Sequence, residues 1–177
     1  MHIGPYTFEE FSTLVETFHG SAAPGVLVGG VMVQKAQSHL PEGILFDALT
    51  ETRACLPDAV QLLTPCTTGN GWLKVLDLGR FALTLFDKYQ GDGIRVYLDP
   101  AKVRDFPEIA SWYLKLKPKR KQDKDLLLAQ IREAGPRILT WQRVTLRPQF
   151  LGWCRPASPP CPPFPWRRPW GGICSMT

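Results

Sequence analysis

The sequence predicts an α+β fold in which helices pack on a mixed, mainly antiparallel sheet, with an irregular Pro-rich C-terminal tail. Apolar residues recur at helical spacing near the N-terminus and alternate with polar residues in several later segments. In chain order, the segments read helix, helix, strand, helix, three strands, two helices, strand, which is typical of helices layered on a sheet. The 177 residues are 44% hydrophobic and 21% charged, which excludes a disordered, collagen-like or disulfide-scaffold protein.

Two helices are predicted at the N-terminal end. The first begins at the capping-box sequence Thr7–Glu10, in which a hydroxyl and a carboxylate satisfy backbone N–H groups, and it ends at His19-Gly20. A loop of small residues, 21–25, follows. The second helix is predicted over 26–40. Its first half is apolar on every side, which indicates a central, closely packed helix.

The remaining elements follow from alternation and turn residues. A strand is predicted over 44–52. A short helix with Pro57 in its first turn follows it, and a turn-rich loop follows the helix. Three further strands are predicted to form an antiparallel sheet, because their apolar and polar residues alternate. The predicted ranges after the loop are strands at 72–78, 81–87 and 94–99, a helix at 107–116, a helix opened by the basic stretch 115–124, and a strand at 138–146.

The composition of the chain changes near residue 150. Residues 1–150 are predicted to form one domain, and residues 151–177 a tail rich in Pro, Trp and Cys. Residues 154–177 hold seven of the 17 prolines, three of the five cysteines and no acidic residue. So many prolines exclude a packed helix or a central strand, so the tail is predicted to be extended, on the surface or on a partner subunit.

Charge and hydropathy limit the classes of partner. Without the tail the net charge falls from +5 to +2, which is weak ground for a nucleic-acid partner. The stretch 115–124 holds six basic residues but no interleaved aromatic residues, so it is predicted to be a solvated face. The sequence has no run of 18 apolar residues and no signal-peptide pattern. We therefore expect a cytoplasmic protein with no nucleic-acid and no membrane partner, whose cysteines are thiols or metal ligands.

Three side chains at helix–loop junctions are candidates for chemistry. His19 closes the first helix, Cys55 begins the helix that contains Pro57, and Cys66 lies in the loop beyond that helix. A helix N-terminus favours the thiolate, so the pKa of Cys55 is expected to be lowered, which suits a metal ligand or a nucleophile. The residues alone also allow a His that only complements a helix dipole and cysteines that are only small buried side chains.

Two ordered motifs, residues 18–25 and 55–71, are followed by Gly79-Arg80-Phe81-Ala82. Together they resemble the FmdE/FwdE family, whose members are similar to the E-subunit of formylmethanofuran dehydrogenase. The resemblance covers roughly residues 5–150. It implies an α+β fold, a bound transition metal, commonly zinc, a homodimer, and an accessory role in molybdenum or tungsten enzyme metabolism. It also implies the metal ligands His19, Cys55 and Cys66, and a ligand pocket lined by Ser21, Ala23, Gly25, Asp58 and Thr67.

The sequence departs from the family pattern at two positions of the first motif. That motif typically reads His-Gly-His-x-Cys-Pro-Gly, whereas Ser21 stands here at the second His position and Ala23 at the Cys position. In the tail, Cys154, Cys161 and Cys174 stand where the family has a zinc ribbon, without its paired spacing. Zinc sites use three or four protein ligands, so the predicted ligands just reach the minimum.

Three functions remain open at this point. The first is a metal site, and the second is a small-anion site at the helix starts near Pro24 and Pro57. The third is an enzyme with the Cys55 thiolate as nucleophile and His19 as base.

Overall fold

The computed structural model describes residues 1–147 and confirms the α+β prediction. Helices pack on a five-stranded mixed sheet, and a two-stranded sheet lies at the N-terminus. The predictions for the C-terminal tail lie outside the described residues. Within residues 1–147, no helix is long and apolar enough to cross a membrane.

The helices follow the predicted order with small changes at their ends. Their bounds are α1 Phe8–His19, α2 Pro24–Gln37, α3 Leu56–Leu63, α4 Pro107–Tyr113 and α5 Lys124–Ala134. The predicted capping box of α1 is present, with Thr7 and Glu10 bonded in both directions. Helix α2 begins two residues earlier and ends three residues earlier than predicted. Its end tightens, because the N–H groups of His39 and Leu40 bond three residues back, to the carbonyls of Ala36 and Gln37. Most of the basic stretch 115–124 precedes α5.

The strands form a sheet of order β4-β3-β5-β6-β7. Their bounds are β1 His2–Ile3, β2 Tyr6–Thr7, β3 Phe46–Thr50, β4 Leu73–Val75, β5 Ala82–Asp87, β6 Asp92–Leu98 and β7 Leu139–Thr145. Strands β3, β5, β6 and β7 pair antiparallel, and β4 pairs parallel with β3. The hairpin of β1 and β2 was not predicted, because two-residue strands show no periodicity.

The position of β4 corrects the predicted sheet. The strands at 72–78, 81–87 and 94–99 were predicted to form an antiparallel sheet, but among the described strands β4 pairs with β3 alone, in parallel, and β5 lies on the other side of β3. Helix α3 forms the crossover that a parallel pair requires. Beyond β4 the chain runs along the end of β3, where the N–H groups of Leu76 and Leu78 bond to the carbonyls of Thr50 and Glu51.

Helix α2 lies at the centre of the core, as its apolar sequence predicted. It contacts the other helices α1, α3 and α5 as well as β5 and β6. Its two adjacent glycines allow this close packing. A Cβ atom on Gly29 would lie 2.7 Å from the Cβ of Ala59, and one on Gly30 would lie 2.5 Å from the ring of Phe11. Consequently α2 holds the start of α3 at a fixed distance from its own first turn.

Candidate functional site

Three helix ends meet at one place in the fold. His19 is the last residue of α1, Gly25 is the second residue of α2, and Cys55 directly precedes α3. Gly20, with φ of 85°, ends α1 and turns the chain toward α2. Neither α2 nor α3 has a side-chain cap. The N–H groups of Val26 and Asp58 bond instead to the backbone carbonyls of Ala23 and Cys55, the residues directly before the two helices.

His19 and Asp58 form the central contact of this site. The Nδ1 atom of His19 lies 2.6 Å from Oδ2 of Asp58, and both side chains are about three-tenths exposed. Asp58 lies in the first turn of α3, where the helix dipole favours a carboxylate, and His19 lies at the C-terminus of α1, where it favours a cation. The contact occupies Nδ1 and leaves Nε2 as the second ring nitrogen of His19.

Cys55 has an unusual backbone conformation and a tight contact with α2. Its φ is 58°, a left-handed value that non-glycine residues rarely adopt. A Cβ atom on Gly25 would lie 2.8 Å from the Cβ of Cys55 and 3.0 Å from its Sγ. Gly25 is therefore required by the position of the thiol. Strained conformations of this kind occur at functional sites.

The pKa of Cys55 moves in the direction opposite to the one expected from the sequence. Burial raises the pKa of this thiol, the negative charge of Asp58 raises it further, and the positive charge of Lys119 partly opposes them. Desolvation and the neighbouring carboxylate thus outweigh the helix dipole. In addition, the described contacts of residues 1–147 include no hydrogen bond between His19 and Cys55. Neither observation favours a thiolate nucleophile paired with a His base.

Two residues of the site were not predicted as part of it. Trp112 of α4 lies against the start of α2, since its Cζ2 atom would be 3.5 Å from a Cβ on Gly25. Lys119, in the 3-10 turn of the basic stretch, acts electrostatically on Cys55. The sequence offered one partial signal, the basic stretch itself, but nothing in it indicated that α4 carries this stretch to the Cys55 thiol.

Cys66 and Thr67 lie beyond the opposite end of α3 from Cys55. Helix α3 has eight residues, about 12 Å at 1.5 Å per residue, and it separates these two from Cys55. The thiol of Cys66 is fully buried and donates a hydrogen bond to the carbonyl of Phe46 at 3.4 Å. Thr67 exchanges hydrogen bonds with Asn70 in the loop after α3. The structure therefore does not bring Cys66 to His19.

The other predicted pocket residues lie at the start of α2. Ser21 is exposed, and its carbonyl accepts a hydrogen bond from the N–H of Ala23. Ala23 is half-buried and precedes α2, and its carbonyl accepts from Val26 and Leu27. Among the other site residues, the structure joins His19 to Asp58 and places Gly25 against Cys55.

The donor set in this location is chemically suited to a transition metal but small. Imidazole nitrogen and thiolate sulfur are ligands that zinc accepts, and a carboxylate on the other ring nitrogen is the usual support for a His ligand. Among residues 1–147, no group of three or more His, Cys, Asp or Glu side chains is placed to hold a metal ion. His19 Nε2 and Cys55 Sγ are the two candidate donors that the described residues leave for a metal ion.

The fold and the site together define a small α+β domain with a His–carboxylate pair and a thiol at the junction of three helices. A family model described as FmdE, molybdenum formylmethanofuran dehydrogenase operon, matches residues 18–146. The chain belongs to this family, which confirms the resemblance inferred from its motifs.

Two similar proteins give further context. A crystal structure of a tungsten formylmethanofuran dehydrogenase E-subunit (FmdE)-like protein from Syntrophus aciditrophicus is 52% identical, with a TM-score of 0.78, and the match covers 88% of this chain and 83% of that one. A probable S-adenosyl-L-methionine-binding protein of Archaeoglobus fulgidus is 37% identical over 99 residues, or 50% of this chain. The match spans only 26% of that relative's length.

Proposed function

We propose that this chain binds a transition metal ion, with zinc as the first candidate, through His19 and Cys55. The observation that carries the proposal is the 2.6 Å contact between His19 Nδ1 and Asp58 Oδ2. A carboxylate bonded to one ring nitrogen orients the imidazole and raises the basicity of the other nitrogen, which is how metal-bound His residues are generally supported. A bound metal would supply Lewis acidity and would also favour the thiolate form of Cys55.

The proposed site is open. Two protein donors leave two positions of a tetrahedral ion, and we propose that a small anionic ligand fills at least one of them. Lys119 supports this choice, because its positive charge acts on the same thiol. The start of α2, which has no side-chain cap, supports it as well, because backbone N–H groups at a helix N-terminus favour anions. A second copy of the chain, as the family resemblance implies, is the alternative source of the missing ligands.

The family and its members suggest the wider role. The family is named for the operon of molybdenum formylmethanofuran dehydrogenase, and the Syntrophus protein is named for the tungsten enzyme. These names support an accessory role near such an enzyme. The name of the Archaeoglobus relative makes S-adenosyl-L-methionine a small molecule to test, since its carboxylate matches the anionic ligand proposed here.

Zinc binding to the full chain tests the proposal. Cys154, Cys161 and Cys174 are replaced by Ser in every sample so that they cannot compete, and affinity is measured by competition with a chromophoric chelator. We expect one zinc per chain, and binding at least about tenfold weaker for His19→Ala and for Cys55→Ala. Asp58→Asn should weaken binding by about 10- to 100-fold, because it removes the support of the His ligand.

The chain contains a matched control for each ligand. His39 lies beyond the opposite end of α2, and Cys66 lies beyond the opposite end of α3. His39→Ala and Cys66→Ala should therefore bind zinc as tightly as the parent. Absence of zinc from the parent, or equal loss with the control variants, would contradict the proposal. Sedimentation with and without zinc then separates an open site from one that two copies share.

A further inference from the structure

A cavity lies at the far end of α2 from the His19 site. Its volume is about 760 Å³, which is within the range of binding pockets. It is enclosed by the loop 39–44, by the turn between β5 and β6, and by the end of β7. Three carboxylates line it, from Glu42, Asp87 and Asp92, against the single guanidinium of Arg143.

Two of these carboxylates are held in fixed positions. One oxygen of Asp87 accepts hydrogen bonds from the backbone N–H groups of Tyr89 and Gln90 at 2.7 and 2.6 Å. One oxygen of Asp92 accepts from the Thr145 hydroxyl at 2.6 Å. The acidic wall is therefore formed before any occupant arrives, so the occupant does not have to order it.

The described chain ends at the rim of this cavity. Arg143, Val144 and Thr145 line it, and the N–H of Leu146 donates to the carbonyl of Gly91 at 2.9 Å. Residues 148–177 therefore begin beside the cavity. The stretch from Arg147 to Arg155 spans up to about 25 Å in a polyproline-like conformation, which is long enough to return across the opening.

Charge and composition make those residues complementary to the cavity. From residue 154 onward they contain Arg155, Arg167 and Arg168 and no acidic residue, together with seven prolines. Proline-rich segments bind grooves with aromatic walls. Here His39 lines the cavity, and the centroid of its ring lies 4.1 Å from that of Trp141, which is 38% exposed, with the two rings tilted by 49°.

We propose that this cavity is the docking groove for the arginine- and proline-rich residues that follow Arg147 in the same chain. The acidic wall pairs with their guanidinium groups, and the ring of His39, which Trp141 supports from outside the cavity, contacts their prolines. The effective concentration of a directly attached segment makes docking favourable even if each contact is weak. The proposal does not depend on metal binding at His19.

The natural cysteines of this segment allow a direct test. A thiol is introduced by Glu42→Cys in the full chain, mild oxidation with diamide follows, and peptide mass spectrometry detects disulfides to Cys154, Cys161 or Cys174. The matched control is Lys124→Cys, at an equally exposed position at the start of α5. Mixing ¹⁴N- and ¹⁵N-labelled chains distinguishes links within one chain from links between chains.

We expect at least fivefold more same-chain disulfide from the position-42 thiol than from the position-124 thiol. The excess should decrease in 0.5 M salt, because ion pairs at a surface are screened. Equal yields at the two positions, links mainly between chains, or an excess that salt leaves unchanged would each overturn the proposal. The mapping also uses Gln90→Cys, a lining residue in the turn between β5 and β6, so that one poorly folded variant does not decide the result.

Discussion

His19 and Asp58, 39 positions apart in sequence, are joined by a 2.6 Å contact between Nδ1 and Oδ2. The contact fixes the end of α1 against the first turn of α3, and it places a carboxylate where its charge acts on the Cys55 thiol. Asp58 thus affects both candidate ligands. One side chain therefore orients the imidazole and adds to the effect of burial in raising the pKa of the thiol.

The reactivity of Cys55 should follow the charges around it. Asp58→Asn removes a negative charge that raises the pKa of the thiol, and Lys119→Ala removes a positive charge that lowers it. Because only the thiolate reacts, alkylation by iodoacetamide at pH 8 should be faster in Asp58→Asn and slower in Lys119→Ala. Peptide mass spectrometry measures the rate at Cys55 alone. Asp105→Asn is the control, and a change as large in that variant would contradict the charge assignment.

Stability should decrease in alkaline solution because of the buried thiols. Burial raises the pKa of Cys66, and burial with Asp58 raises that of Cys55. Thiols in the unfolded chain ionise at a lower pH than the buried thiols of the folded protein. What the buried thiols contribute to the free energy of unfolding is therefore complete below about pH 8.5, and it is lost as the pH rises through their pKa values in the folded protein. Urea unfolding between pH 7 and 9.5 should show this loss. Cys66→Ala should reduce the slope, and an unchanged slope would contradict the assignment.

A methyl group at position 25 should disturb the site. In Gly25→Ala the new Cβ would lie 2.8 Å from the Cβ of Cys55, and overpacking of this kind costs about 1–3 kcal/mol. Gly69→Ala is the control, because its nearest neighbour lies at 3.9 Å. Adding Cys55→Gly should restore much of the loss, since glycine accepts the φ of 58° and removes the contact atoms. Urea unfolding measures all three, and additive losses would contradict the contact.

The sheet contains a buried ion pair that should be far more costly to break than an exposed one. Arg95 donates two hydrogen bonds to Glu51, and the two side chains are 18% and 9% exposed. Arg95→Met leaves the Glu51 carboxylate buried and unpaired, which should cost about 3–5 kcal/mol. Arg53 and Asp77 form the control pair, 82% and 44% exposed, so Arg53→Met should cost less than about 1 kcal/mol. Similar costs in chemical unfolding would refute this.

The helices and most strands could be predicted because their signals are local. The capping box at Thr7 and the helical spacing that follows it predicted α1 with both ends correct. The sheet was harder to predict. Alternation marks a strand but does not say which neighbour it pairs with, and β4 pairs with β3 instead of β5.

The candidate site was predicted only in part, for the same reason. Position in the chain singled out His19 and Cys55, because both lie at helix ends. It also singled out Cys66, which the length of α3 carries away from them. Trp112 and Lys119 come from a later part of the chain, and only the packing of α4 against α2 brings them to Cys55.

The sequence by itself determined the class of fold, the order of the helices and the family, because each depends on residues that are close together in the chain. Tertiary structure alone decided which candidates meet. Asp58 reaches His19, Gly25 admits the thiol of Cys55, and the charge of Asp58 with burial sets the direction of the pKa. Such contacts join residues far apart in sequence, so they depend on how the helices pack around α2.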